Sequence, residues 1–145
     1  MKKVSIIVVV GLLCLSVACK KDKSESGRMN LITTGSWKLF GLTVQPGHDL
    51  DGDGIVDNDL FLMYDECEKD NIYTFKKNGE YEVSEGVFKC DPSDPQVSTS
   101  HWKFTNSETE IIIAGDKGKI EELTNSILVI SGEVEGERLT FTFGR

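Results

Sequence analysis

Histidine is nearly missing from this chain: His48 and His101 are its only two among 145 residues. Neither belongs to a His-x-x-x-His pair and no Gly-x-Ser-x-Gly elbow accompanies them, so zinc-protease and serine-hydrolase chemistry have no residues to use. Glycine-rich phosphate loops are missing too. The acids are many, but nothing singles out the two carboxylates that a glycosidase needs. No Cys-x-x-Cys spacing is present to depress a thiol pKa, which excludes a redox pair of that kind. No segment carries a sustained helical period. Positive charge is in the minority, with 16 Lys and Arg against 24 Asp and Glu and a net charge of −8. Such a surface repels nucleic-acid phosphates and anionic headgroups, and it tolerates cations. Together these absences point away from catalysis.

What is present begins with an address. Met1-Lys2-Lys3 precedes an apolar run from Val4 to Val17, and Ala18-Cys19 follows. A cationic start, a short apolar stretch and a small residue are the parts of a secretory signal, and the run is too short to span a bilayer comfortably. Leu15-Ser16-Val17-Ala18-Cys19 resembles the lipobox of bacterial lipoproteins. The resemblance implies a signal peptide over residues 1–18, cleavage before Cys19, and lipid on the Cys19 thiol and its new amino group. Cys14 is a poor alternative because Leu13 before it is too large. Lys20, where an aspartate would retain the protein at the inner membrane, favours the outer membrane. Residues 19–33 then read as the lipidated cysteine and a polar tether. The mature chain of about 127 residues is one domain's worth.

With Cys19 lipidated, Cys67 and Cys90 remain as a pair in an exported chain, where a structural disulfide is permitted. Its loop closure stabilises by roughly 3 kcal/mol in the chain-entropy picture.

From Gly35 onward short strands alternate with turns. Ser36–Val44 comes first, and Ile72-Tyr73-Thr74-Phe75 reaches the hairpin signal Asn78-Gly79 and returns through Tyr81-Glu82-Val83. Trp102-Lys103-Phe104, Glu110–Ile113, Ile120–Leu123, Ile127–Ile130 and the strictly alternating Leu139–Phe143 complete about eight strands. Tight turns throughout favour an all-β antiparallel meander barrel, and a β-sandwich is the competing architecture. The aromatic residues along these strands are core by default, with a ligand-lining subset as the sharper reading.

The pieces in order resemble a known family. Gly35-Ser36-Trp37-Lys38, Asp49–Gly54, the segment Cys67–Phe75, Asn78-Gly79, Cys90, Trp102-Lys103-Phe104 and the strand pairs to the C-terminus are similar to bacterial lipocalin-like domain lipoproteins. The resemblance implies a small barrel over residues 34–145, with no assigned ligand as the rule. It further implies an arginine near the last strand packed on Trp37, for which Arg138 is the candidate.

Asp49-Leu50-Asp51-Gly52-Asp53-Gly54-Ile55-Val56-Asp57 is the one chemical motif of the mature chain. Carboxylates at positions 1, 3 and 5, the Ile55 carbonyl at 7 and Asp57 at 9 match a calcium loop, with Gly54 at the sharp turn. Leu60 stands where the bidentate acid belongs. Asp59 lies one place early, and Asp65, Glu66 or Glu68 are candidates to close the shell. Zinc is disfavoured by an oxygen-only set with only His48 beside it. The alternative is an acidic turn that merely stays solvated.

The expected function is a non-catalytic, membrane-anchored binding module for a small apolar molecule, with calcium stiffening one loop. The alternative is a filled barrel that meets another envelope protein; a small hydrolase ranks last.

Overall fold

The computed structural model describes residues 26–145. The expected signal peptide, the expected lipidation site Cys19 and the start of the expected tether lie outside these residues. Nine strands run in chain order: β1 (Trp37–His48), β2 (Asp57–Asp59), β3 (Ile72–Phe75), β4 (Glu80–Ser84), β5 (Val97–Thr105), β6 (Glu110–Ile113), β7 (Asp116–Leu123), β8 (Ile127–Val134) and β9 (Glu137–Gly144). From β3 to β9 each strand pairs antiparallel with the next, and β1 closes the circle by pairing with β3 on one side and β9 on the other. The result is a closed eight-stranded barrel, which removes the free edges a sandwich would keep. β2 is the extra strand. It pairs farther along β1, at Thr43↔Asp59 and His48↔Asp57.

The period-2 alternation decides the two faces. In β9, Leu139, Phe141 and Phe143 point inward, matched across β1 by Val44, Leu42 and Leu39. A register shift between Leu39 and Gly41 keeps both halves of β1 facing the core. Inside, Trp102 lies edge-on to Phe75 and Phe104, with centroids 5.3 and 5.1 Å apart, and its Nε1 donates to the Lys76 carbonyl at 2.9 Å. Tight turns keep the meander compact. Ala114-Gly115 and Glu135-Gly136 turn with positive φ at both residues, a conformation that favours glycine at the second position.

One end of the barrel is plugged. Helix α1 (Gly27–Thr33) starts at Ser26, whose hydroxyl accepts from the Met29 N–H at 3.0 Å, and it buries Ile32 completely. Trp37 Nε1 donates to the Ile32 carbonyl at 2.9 Å. Burying an isoleucine in this way stabilises by about 1.5–3 kcal/mol. The tether expected over 19–33 is thus corrected at its C-terminal part, since residues 27–33 are helical and packed. At 7 residues, α1 is shorter than the window in which a helical period can be recognised. The same holds for α2 (Glu66–Lys69) and a 3-10 turn at Leu60–Met63. Among the described residues no helix is long and apolar enough to cross a membrane.

The arginine expected on Trp37 is also corrected. Arg145, not Arg138, lies over the indole, 3.8 Å from its ring centre. Arg145 Nη1 donates to the Asn125 carbonyl at 2.8 Å and Nη2 to the Leu31 carbonyl at 2.5 Å. Arg138 points out of the wall and pairs with Glu121 at 2.5 Å. The strand period explains the difference: Arg138 alternates with inward Leu139, whereas Arg145 lies beyond the end of β9 and can fold back under the barrel.

At the opposite end the loops are stapled. Cys67 of α2 and Cys90 of the β4–β5 loop form a disulfide with their Cα atoms 5.2 Å apart. Beside it, Asp70 Oδ2 accepts from the Val87 and Phe88 N–H groups at 2.6 and 3.0 Å. Gly86 approaches so closely that a Cβ there would sit 2.3 Å from the Asp70 carboxyl carbon.

Candidate functional site

Above the plug the barrel is hollow. A cavity of about 380 Å³ opens toward the stapled end, walled by Leu39, Ile111, Ile113, Ile130, Phe141 and Phe143. Its volume follows from two inward positions on neighbouring strands that carry no side chain. Gly118 of β7 faces Ile111, and Gly132 of β8 faces Leu139. At Gly118 the space is already used, since a Cβ there would lie 2.6 Å from Ile130 Cγ2. At Gly132 the nearest atom to such a Cβ is the Lys117 carbonyl oxygen at 3.5 Å, so the space there is open.

Tyr64, Tyr73 and Tyr81 line the same cavity, and these are the chain's only 3 tyrosines. They come from three elements: the residue after the 3-10 turn, β3 and β4. The Tyr73 and Tyr81 rings stack at 6.4 Å, and Tyr73 meets Phe143 edge-on at 5.3 Å. Among the described residues none of the three hydroxyls hydrogen-bonds a protein group, so the cavity lining carries three phenol groups without a protein partner. Burial disfavours the charged phenolate, pushing the Tyr73 hydroxyl up to about 12, with Tyr64, Glu68 and Glu85 adding to the effect. Tyr81 is raised further, mainly by burial, then by Tyr73. Tyr64 is raised by burial and Glu68. All three are therefore neutral donors at ordinary pH. Asp116, Lys117 and Glu133 stand at the cavity edge. Lys117 is bound to Glu110 at 2.8 Å.

A second depression of similar volume lies on the outer wall near Lys119, Ser131 and Arg138. Its polar groups satisfy one another. Glu121 accepts from Lys119, Ser131 and Arg138 at 2.8, 2.7 and 2.5 Å, an arrangement that holds its carboxyl below the usual range. Most of its charged groups are thus taken up by one another, and its lining has none of the apolar rings that wall the interior cavity.

The expected calcium ligands are brought together only in part. Asp49, Asp51 and Asp53 each place a carboxylate oxygen within 4.8 Å of the others. Asp49 accepts from the Gly52 and Gly54 N–H groups at 2.8 and 3.0 Å, and Asp53 accepts from Ile55 N–H at 2.7 Å. Asp57 and Asp59 belong to β2 and fall outside this group; Asp59 caps the 3-10 turn, accepting from Phe61 N–H at 3.0 Å. Asp65 and Glu68 form the capping box of α2, and Glu66 lies 3.5 Å from Lys69. The Ile55 side chain is exposed. His48 pairs with Glu137 at 2.7 Å, and His101 lies exposed on β5 opposite Glu80.

Tyr73 and Tyr81 belong to the strand aromatics expected to pack the core or, as the sharper reading, to line a ligand site, whereas nothing in the sequence singles out Tyr64 or Gly132. The strand tyrosines were visible as part of alternating strands, but no local signal separates an inward ring that packs from one that lines a void. Only the facing of Gly118 and Gly132 across β7 and β8 decides that.

The lipocalin-like domain family matches residues 33–130. Among solved structures, a lipocalin-like protein from Bacteroides uniformis ATCC 8492 is similar at 18% identity and a TM-score of 0.40, covering 75% of this chain and 96% of that one. A comparison with curated proteins gave no match. A closed antiparallel barrel with a tryptophan on its first strand, an arginine stacked beneath it and a hollow interior is thus joined to a family match over most of the chain: this protein belongs to the lipocalin-like domain family.

Proposed function

We propose that this protein is a non-catalytic, lipid-anchored binding module of the cell envelope that holds one small, neutral, mostly apolar molecule inside its barrel. The observation that carries the reading is the cavity of about 380 Å³, which falls in the size range of small-molecule sites and joins apolar walls to three lining tyrosines. Apolar walls give affinity by area, while Tyr64, Tyr73 and Tyr81 offer donors to an acceptor such as a carbonyl or ether oxygen. Asp116 and Glu133 at the edge disfavour a carboxylate headgroup, so a neutral ligand fits better than a fatty-acid anion. The Ala18-Cys19 lipobox supports the anchor, and Lys20 supports the outer membrane. Calcium stiffening of the loop at Asp49, Asp51 and Asp53 is part of the same reading, with an exterior-type affinity on the order of 10⁻⁴ to 10⁻³ M.

Native mass spectrometry of the full lipoprotein, extracted mildly from its own membrane, tests this directly. A retained small molecule released on denaturation is the expected result. Ligand-free protein that also fails to take up the apolar dye N-phenyl-1-naphthylamine would reject the binding function and favour a purely interacting domain. Cys19→Ser should abolish acyl labelling and release the protein from the membrane fraction.

A further inference from the structure

The barrel's two ends differ sharply in charge and in apolar exposure. By the up-and-down connectivity, residues 48–72, 85–97, 113–117 and 132–138 gather at the mouth. These segments hold sixteen acidic side chains against four basic ones, whereas the rest of the described chain holds six against seven. Among the described residues, nine of the ten exposed large apolar side chains are in the same segments, and Phe40 is the one elsewhere. Val87 at 86% exposure and Leu62 at 75% are the extreme cases, and Phe88 beside Val87 is 62% exposed.

These side chains are not on a loose loop. The Cys67–Cys90 disulfide ties the β4–β5 loop to α2, and Asp70 holds the Val87 and Phe88 N–H groups. Gly86 has no room for a Cβ against Asp70. The backbone beneath Val87 and Phe88 is therefore held in one shape while both side chains face water. Solvating such apolar groups costs free energy that burial in a partner would recover, and anchors held in a fixed shape lose little entropy on binding. Apolar anchors inside a charged surround are the anatomy of a protein interface.

We propose that the mouth face, centred on Val87 and Phe88 with Leu62 and Met63, docks a partner protein whose contact surface is basic around an apolar centre. The acidic surround selects this occupant. It repels anionic membrane surfaces and a second copy of the same face, and it attracts a basic protein over about one Debye length. Geometry agrees where Cys19 is lipidated. α1 lies at the plugged end, and the seven residues from Cys19 to Ser26 span at most about 25 Å, so the anchor draws the plugged end toward the bilayer and the mouth away from it. The docking face itself does not depend on the cavity being loaded.

The test uses the full-length protein in its native envelope, with a photo-crosslinking residue placed at Phe88, at Leu62 or, as the control, at Phe40. Phe40 is equally apolar and 51% exposed but sits on the barrel wall. The expected result is one discrete protein adduct from Phe88 and Leu62, none from Phe40, and at least a tenfold loss of that adduct in 0.5 M salt. The partner identified by peptide mass mapping should then bind the purified protein, and Val87→Ser with Phe88→Ser should weaken that binding at least tenfold at an unchanged melting temperature. No adduct, equal adducts from Phe40, adducts to lipid alone, or a partner contact that is acidic or insensitive to salt would each overturn the proposal.

Discussion

Filling the cavity from Gly132 should stabilise the protein and abolish ligand uptake at once. Gly132 lies on the inward face of β8, and a Cβ there would meet only the Lys117 carbonyl oxygen, at an ordinary contact distance of 3.5 Å. Its φ is not in the left-handed region, so a larger residue is conformationally permitted. In Gly132→Leu the new side chain enters the 380 Å³ cavity. Burying a leucine is worth about 1.5–3 kcal/mol. Replacing a strand glycine adds roughly 0.5–1 kcal/mol, and lost rotamer freedom removes a similar amount. The net is about 2 kcal/mol, which for a domain of this size raises the melting temperature by roughly 6–10 °C. Uptake of N-phenyl-1-naphthylamine, read by fluorescence, should weaken at least tenfold. Gly118→Leu gives the opposite sign on the same wall. Its Cβ would lie 2.6 Å from Ile130 Cγ2, and overpacking there should cost on the order of 1–3 kcal/mol. If Gly132→Leu lowers the melting temperature, or leaves dye affinity intact, the hollow interior is not the binding site.

Arg145→Ala should cost about 1–2 kcal/mol in urea unfolding through the lost stack on Trp37 and two carbonyl partners, while Arg138→Ala should stay under about 1 kcal/mol; the reverse order would reject the assignment. For Tyr73 the folded pKa is raised, to about 12, so its contribution to stability is complete below the unfolded value near 10 and is lost as pH climbs from 10 to 12. Melting temperatures should therefore fall over that window, less steeply in Tyr73→Phe, and an identical slope in both proteins would refute the burial argument. In 5 mM calcium, a dissociation constant near 0.5 mM would stabilise the folded state by about 1.4 kcal/mol. Calorimetry should show that increment, with magnesium giving less, and Asp51→Asn combined with Asp53→Asn should erase it; no shift in the unaltered protein would leave the loop a solvated acidic turn.

Much of the barrel was legible because its signals are local. Strict alternation from Leu139 to Phe143 and the Asn78-Gly79 turn depend on neighbours in the chain, where period and φ preference act directly. Other features depend on what tertiary contact brings together. Ile32 sits in a helix too short to show a period, and that helix is held by Trp37 at the Ile32 carbonyl and by Arg145 at the Leu31 carbonyl, residues far apart in the chain. Asp57 and Asp59 continue a calcium-loop pattern by spacing, yet pairing with β1 draws them into β2 and leaves only Asp49, Asp51 and Asp53 converged. The cavity is the clearest case. A glycine in a strand has no side chain to reveal its face, so the void appears only once register turns Gly118 and Gly132 inward and three elements bring Tyr64, Tyr73 and Tyr81 around it. By itself the sequence determined the strands, their turns and the acidic surface, because short-range sterics and periodicity govern these. Barrel closure and strand register decided the hollow interior and the contrast between its two ends, because volume and convergence belong to no single segment of the chain.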